Sequence, residues 1–197
     1  MATFQLSPLP HQVGHFDQFI ARQTEMIALK ERILSLSGDS FSITLANGQP
    51  ILNVKGKFFT IGARKSVFDM AGNHLFDIYR ELLHLHTTFV LEDPQGNKFF
   101  EMKNKIKLFG SQATAKFTSK TGKQESLTMK GNWLDLRGEI IDDTSGAIVA
   151  QIDRKFLNSR NLLFGQDTYA VIVAPGMDMA IIAAMCICLD EKNNESR

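Results

Sequence analysis

The chain has 197 residues, of which 44% are hydrophobic and 22% are charged, and its formal net charge at pH 7 is +1. These values are typical of one large globular domain and exclude a disordered chain. The small net charge excludes a strong attraction of the whole molecule to nucleic acid, so no nucleic-acid partner is expected. Cys186 and Cys188 lie two positions apart in one apolar run. They are predicted to be buried hydrophobic residues without a disulfide or a metal ion.

The N-terminus lacks a basic segment followed by an apolar core, so no secretory signal is predicted. Residues 1–22 contain Pro8 and Pro10 and are predicted to form an extended N-terminal arm, and residues 191–197 form a polar tail. The longest apolar run, 179–189, has 11 residues, whereas a membrane-spanning helix needs about 20. We therefore expect a cytoplasmic protein that is at most peripherally associated with a membrane.

The first regular element is predicted within residues 24–36. This segment contains good helix formers, but its residues also alternate, with Ile27, Leu29 and Glu31 on one side. Because only β elements follow it until the C-terminal run, we predict a first strand here.

Five glycines recur at spacings of 24, 24, 26 and 24 residues, and they are Gly48, Gly72, Gly96, Gly122 and Gly146. Each lies in a polar turn between two apolar runs, where glycine supplies the positive φ that a tight hairpin requires. The repeat predicts five consecutive hairpins of one all-β sheet. Short runs rich in Phe, Val, Ile and Thr continue to residue 173, which is typical of a sandwich or a barrel.

The last element breaks this pattern. After a strand at 168–175, Gly176 ends the sheet, and residues 177–189 are predicted to form a helix with Asp178 as its N-cap. This helix has no polar face, so it must be buried on all sides. A barrel of ten or more strands can enclose a helix about 10 Å across, whereas eight strands barely clear their own side chains. We therefore predict a closed antiparallel barrel threaded by its C-terminal helix, and a sandwich with the helix across one open end is the alternative.

The repeated turn units, the segment LSLSGDSFSI (34–43) and the closing signature DTYAVIVAPGMDMAIIAA (167–184) resemble the tubby C-terminal-like superfamily, most closely its LURP-one-related branch. The resemblance covers roughly residues 24–190. It implies a domain over 23–190 in which about 12 strands surround a central hydrophobic C-terminal α-helix. It also implies kinship with phospholipid scramblases and with tubby domains that bind phosphoinositide headgroups.

Two features of scramblases are missing from this chain. It has no cysteine-rich acylation segment, and the acidic residues just before the last helix are only Asp167 and Asp178. Calcium requires six to eight oxygen ligands, which these two carboxylates cannot supply. Calcium-driven lipid scrambling is therefore not expected.

Six lysines lie in or beside two consecutive predicted strands, and they are Lys103, Lys105, Lys107, Lys116, Lys120 and Lys123. The first three alternate along EMKNKIKLFG (101–110), so on a strand they share one face. The hairpin register decides whether Lys116 joins that face. Near an anionic membrane each lysine contributes about 1 kcal/mol of attraction. The six are candidate lipid-headgroup-binding residues, and the alternative is a solvated outer face of the barrel.

The spacing of the histidine and acidic residues in the sequence does not match a known catalytic motif or a complete set of metal ligands. His84 and His86 would share a strand face with His74 as the nearest third histidine, but zinc usually takes four ligands, so structural histidines are predicted. No catalytic or phosphate-binding motif is present, and the adjacent Asp142 and Asp143 are expected to shape the turn before Gly146. We predict no enzymatic activity, catalytic residue, metal or cofactor.

The resulting functional hypothesis is a non-enzymatic LURP-one-related, tubby-like domain that binds anionic phospholipid headgroups or docks on a membrane surface. The alternative is a protein-interaction or scaffold module, in which the arm at 1–22 and the loops recruit a protein partner.

Overall fold

A computed structural model describes most of the chain, namely residues 5–30, 40–56, 64–81, 87–106, 111–132, 137–153 and 168–195. Within these residues, 12 antiparallel strands form a closed barrel, followed by one C-terminal α-helix. The predicted barrel is confirmed, and the sandwich alternative is wrong.

The strands follow one another around the barrel in chain order. They are β1 (Glu25–Lys30), β2 (Ser40–Leu45), β3 (Pro50–Gly56), β4 (Lys65–Asp69), β5 (His74–Glu81), β6 (Thr88–Glu92), β7 (Lys98–Ile106), β8 (Ser111–Thr118), β9 (Gln124–Asn132), β10 (Arg137–Asp142), β11 (Ile148–Asp153) and β12 (Thr168–Val173). β12 pairs with both β11 and β1 and thereby closes the barrel. The helix α1 spans Met179–Glu195, and a short 3-10 turn spans Asp17–Phe19.

The five repeated glycines each occupy a hairpin turn with φ between 73° and 88°, which confirms the hairpin prediction. Carboxylates fix the chain around several of these turns. Asp93 Oδ1 accepts a hydrogen bond of 2.8 Å from the Asn97 amide, and Asp69 and Asn73 form the same contact. Asp142 accepts hydrogen bonds from Thr144 and Ser145, which confirms its predicted role in the turn.

The barrel has two different ends. Because neighbouring strands are antiparallel, the five hairpin turns all lie at the end where β12 passes into α1, which we call the proximal end. The helix runs from this end through the barrel, and Lys30 and Thr168 pair at the opposite, distal end.

Helix α1 forms the centre of the hydrophobic core. Every residue from Met179 to Asp190 is buried, and α1 packs in one cluster with the inward side chains of the surrounding strands. Ala180, Ala183 and Ala184 are at most 1% exposed, so small side chains let the helix approach the wall closely. The prediction of a helix buried on all sides is confirmed for residues 179–190. Its predicted end at residue 189 is wrong, because α1 continues to Glu195, into the segment predicted as a polar tail. No helix of the described residues has both the length and the apolar character needed to cross a bilayer.

The N-terminal arm crosses the proximal end and is bonded to the strand–helix junction. The Val13 amide donates to the Gly176 carbonyl at 2.9 Å, and the Asp178 amide donates to the Val13 carbonyl at 3.0 Å. The Ala21 amide donates to the Met177 carbonyl at 2.9 Å. These bonds satisfy backbone groups that the barrel itself leaves unpaired at this end.

The carboxylate of Asp178 joins the arm to the helix. Its Oδ1 accepts hydrogen bonds from the Ala180 and Ile181 amides at 2.8 and 3.4 Å, which confirms the predicted N-cap. Its Oδ2 accepts hydrogen bonds from the His15 and Phe16 amides at 2.9 and 2.7 Å. One fully buried side chain therefore fixes both the start of α1 and the path of the arm.

Gly14 permits this contact because it has no side chain. A Cβ at position 14 would lie 2.4 Å from the Cβ of Asp178, a distance that forces the arm to move. Burial raises the pKa of Asp178 to about 6, although the four amide donors stabilise its ionised form and offset part of this effect.

The distal half of the interior contains polar side chains. Tyr169 donates a hydrogen bond of 3.0 Å to Asp190 Oδ2, and both side chains are buried. Burial lowers the pKa of Lys65 to about 8, and the negative charge of the Asp190 carboxylate opposes part of this shift. Cys186 and Cys188 are buried free thiols whose pKa values burial raises, as predicted for hydrophobic cysteines.

Asn104 is the inward-facing neighbour of Met102 on β7 and is 4% exposed. Among the described residues, neither its Oδ1 nor its Nδ2 has a hydrogen-bond partner. Its cross-strand neighbour is Ala113, whose side chain has no polar atom. A buried polar group without a partner costs about 1–3 kcal/mol.

Replacing Met185 with Asp places a charge among fully buried side chains. An unpaired buried charge costs several kcal/mol, so we expect an insoluble protein or loss of cooperative unfolding. Urea unfolding followed by circular dichroism measures this effect, with Met185→Leu as the volume-matched control. A soluble Met185→Asp protein that unfolds cooperatively would show that α1 is not enclosed.

The stability of the protein is expected to depend on the titration of Asp178. Because its folded-state pKa is raised above the unfolded value, its contribution to stability is fully present below about pH 4 and is lost as the pH rises through about 6. Asp178→Asn cannot titrate. The free energy of unfolding of the wild type minus that of Asp178→Asn should therefore increase by on the order of 3 kcal/mol between pH 7 and pH 4. A difference that is constant or falls on acidification contradicts the raised pKa.

Substituting Asn104 with Leu is expected to raise the free energy of unfolding by about 1–3 kcal/mol, because the unpartnered amide is removed. Asn104→Asp is the control and should lower stability, since it adds a buried charge. Both are measured by urea unfolding. Destabilisation by Asn104→Leu contradicts the absence of a partner for the amide.

Candidate functional site

The candidate site is the outer face of β7, β8 and β9, which we call the lysine face. Phe100 and Met102 are buried in the core, so the residues that alternate with them on β7 face outward. The strand register places Glu101 opposite Lys116 and Lys103 opposite Thr114. Lys116 therefore shares the outward face with Lys103, which the sequence alone left open.

Lys130 also belongs to this face, although it is not among the lysines predicted from the sequence. It pairs with Gln112 in the β8–β9 hairpin and is exposed. The hairpin turn at Gly122 sets this register, since residues the same number of positions from the turn on β8 and β9 pair with each other. Thr118 therefore pairs with Gln124, and Gln112 pairs with Lys130. That count was possible from the sequence once the turn had been recognised.

The remaining predicted lysines lie elsewhere or outside the described residues. Lys120 and Lys123 are at the proximal end, where Lys120 Nζ lies 2.5 Å from Asp17 Oδ2. Lys123 Nζ lies 3.0 Å from Glu125 Oε1. Lys105 is the β7 partner of Gln112, but its side chain and the whole of Lys107 lie outside the described residues.

Some lysines of the lysine face form ion pairs with described residues and others do not. Lys103 Nζ lies 2.8 Å from Glu101 Oε1, and these side chains are 50% and 41% exposed. In the described part of the chain, Lys116 has neither an ion pair nor a hydrogen bond, although it is exposed. Glu139 of β10 borders the face beside Lys130.

Uncharged polar residues fill the positions between the lysines. Gln112, Thr114, Ser126 and Thr128 are outward-facing partners in the β8–β9 ladder. The Thr114 and Thr128 hydroxyls lie 3.4 Å apart. The face therefore combines ammonium groups with hydroxyl and amide donors on a rigid sheet.

A groove of about 550 Å³ indents the outer surface next to Lys116. Val90, which is 2% exposed, contributes to its lining, as do Glu81, Lys98, Glu101 and Lys116. Lys98 forms an ion pair with Glu81, and the hydrogen bond from Lys98 to Glu81 raises the pKa of this lysine. The groove thus presents two carboxylates and two ammonium groups within one recess.

A separate network of hydrogen bonds and ion pairs lies on the outer faces of β5 and β6 and includes Arg64, which precedes β4. Arg64 Nη1 lies 2.8 Å from Asp77 Oδ2 and 3.1 Å from Glu92 Oε1. The Tyr79 hydroxyl donates to Glu92 Oε2 at 3.0 Å. His74 Nε2 lies 3.0 Å from Asp77 Oδ1.

The other two histidines of the proposed group, His84 and His86, lie outside the described residues. Within the described ranges, no three His, Cys, Asp or Glu side chains come together in a way that could hold a metal ion.

Comparison with known proteins identifies the family. A family model described as LURP-one-related matches residues 25–190. Protein LURP-one-related 15 of Arabidopsis thaliana is 25% identical over 183 residues, which are 87% of this chain and 81% of that protein. Protein LURP-one-related 10 of Arabidopsis thaliana is 23% identical over 182 residues, covering 86% of this chain and 90% of that protein.

A solved structure supports the fold independently. The X-ray structure of a protein from Arabidopsis thaliana superimposes with a TM-score of 0.60 at 20% identity, covering 92% of this chain and 99% of the other. The resemblance to the LURP-one-related family, inferred from the turn units and the closing signature, is confirmed. The chain belongs to the LURP-one-related family.

Proposed function

We propose that this protein binds the headgroups of anionic phospholipids through the lysine face. The observation that carries the proposal is the shared outward position of Lys103, Lys116 and Lys130 on three adjacent strands. Lys116 supports it most directly, because its ammonium group has no partner among the described residues and is exposed to an incoming anion.

The expected attraction is moderate and depends on salt. At about 1 kcal/mol for each lysine near an anionic surface, three lysines supply at most about 3 kcal/mol, or roughly a hundredfold in affinity. The carboxylates of Glu101 and Glu139 on the same face reduce this attraction. Exposed charges are screened over a Debye length of about 8 Å at physiological ionic strength, so raised salt should weaken binding.

The sheet also limits the cost of binding. The lysine face lies on three consecutive strands of a closed barrel, so its backbone is ordered before a ligand arrives. Thr114 lies opposite Lys103 on the same face and offers a hydroxyl donor to a phosphate oxygen. We assign Lys105 to the same site because it lies on β7 opposite Gln112. Lys120 and Lys123 already form ion pairs with Asp17 and Glu125 at the proximal end, so we assign them only to the margin of the site.

Co-sedimentation with vesicles tests the proposal. The double variant Lys103→Glu with Lys116→Glu should bind anionic vesicles at least tenfold more weakly than the wild type, because two attractive charges become repulsive. The matched control is Lys55→Glu, since Lys55 is an exposed lysine of β3, far around the barrel from β8. The control should bind like the wild type.

Two results would overturn the proposal. One is wild-type binding that does not differ between anionic and neutral vesicles. The other is equal loss of binding in the double variant and in Lys55→Glu, which would reduce the effect to net charge. Urea unfolding of all three proteins verifies that each variant is folded.

A further inference from the structure

The groove beside Lys116 differs from a simple cationic patch. Its walls include Glu81 and Glu101 as well as Lys98 and Lys116, and Val90 contributes an apolar surface. A ligand that carries only negative charge would meet two carboxylates here. A ligand that carries both signs would find a partner for each.

The strand register sets the spacing of the opposite charges. Glu101 on β7 and Lys116 on β8 are directly opposite each other. Directly opposed residues in an antiparallel pair have Cβ atoms about 5 Å apart. A small ligand that carries an ammonium group and an acidic group a few bonds apart can reach both of these side chains at once.

A ligand can replace Lys103 as the partner of Glu101. Glu101 Oε1 lies 2.8 Å from Lys103 Nζ, and both side chains are about half exposed. Ion pairs of this kind contribute little to stability, so a ligand ammonium can replace the lysine at low cost. Lys103 would then be released toward the anionic group of a neighbouring lipid.

We propose that this groove selects phosphatidylserine, a lipid whose headgroup carries a primary ammonium together with a phosphodiester and a carboxylate. The inference rests on the proposed binding of anionic headgroups and specifies which headgroup that site prefers. Glu101 receives the ammonium, and Lys116 receives an acidic group of the same headgroup. Phosphatidylglycerol has the same net charge but offers Glu101 only neutral hydroxyl donors and no ammonium group. Polyphosphoinositides bring additional negative charge toward Glu81 and Glu101.

Vesicle binding at equal mole fractions of phosphatidylserine and phosphatidylglycerol in phosphatidylcholine tests the inference. We expect the wild type to bind phosphatidylserine vesicles about fivefold more tightly, which is the effect of one surface ion pair of about 1 kcal/mol. Glu101→Gln should remove this preference while it retains or strengthens binding to phosphatidylglycerol. The control is Glu25→Gln, since Glu25 is a carboxylate of β1, on the opposite side of the barrel from β7, and it should keep the preference.

These measurements test the selection of phosphatidylserine separately from the general binding of anionic headgroups. Equal binding to both anionic vesicles overturns the selection of phosphatidylserine and leaves the lysine face as a general anion-binding surface. Tighter binding to vesicles containing phosphatidylinositol 4,5-bisphosphate at matched total charge also overturns the selection. An absence of binding to every anionic vesicle overturns both proposals.

Soluble glycerophosphoserine distinguishes a lipid headgroup from a free metabolite. In two-dimensional NMR spectra, we expect it to shift the backbone amide signals of Glu101 and Lys116 at millimolar concentration, whereas glycerophosphoglycerol should leave them unchanged. Saturation at micromolar concentration, without any preference between the vesicles, would contradict a membrane lipid as the ligand. An absence of shifts at these two amides would contradict the placement of the headgroup in the groove.

Discussion

Burial of α1 is the constraint on which the rest of this structure depends. A helix without a polar face has to be covered on every side, and the 12 strands of the barrel supply that cover. The arrangement also requires a closed proximal end, since the first amides of α1 have no partners within the helix. Asp178 satisfies two of these amides and binds two amides of the arm with the same carboxylate. The arm is therefore part of the core structure.

Because α1 fills the interior of the barrel, the outer surface is the part of the barrel that remains accessible to a ligand. The described inward-facing residues of the strands pack against α1, whereas the exposed lysines alternate with them on the outer surface. On β7 and β8 the same alternation buries Met102 and Ala115 and exposes Lys103 and Lys116. The pattern that builds the core thus also builds the lysine face.

Much of the fold could be predicted because its signals are local. A glycine in a polar turn and an aspartate before an apolar helical run each define an element within a few residues. The contact between His15 and Asp178 could not be predicted, since 163 positions separate the two residues and neither belongs to a repeated pattern. The groove depends on a register across β6, β7 and β8 and on an irregularity between Leu91 and Glu92, so composition and spacing alone do not reveal it.

Hydrogen–deuterium exchange, resolved along the chain, tests the enclosed helix most directly. Amides of α1 from Ile182 to Leu189 should exchange as slowly as those of the slowest strands, because they become accessible only when the whole barrel opens. The tips of the hairpins should exchange much faster. Exchange of these helix amides at the rate of the hairpin tips would contradict a helix enclosed by the barrel.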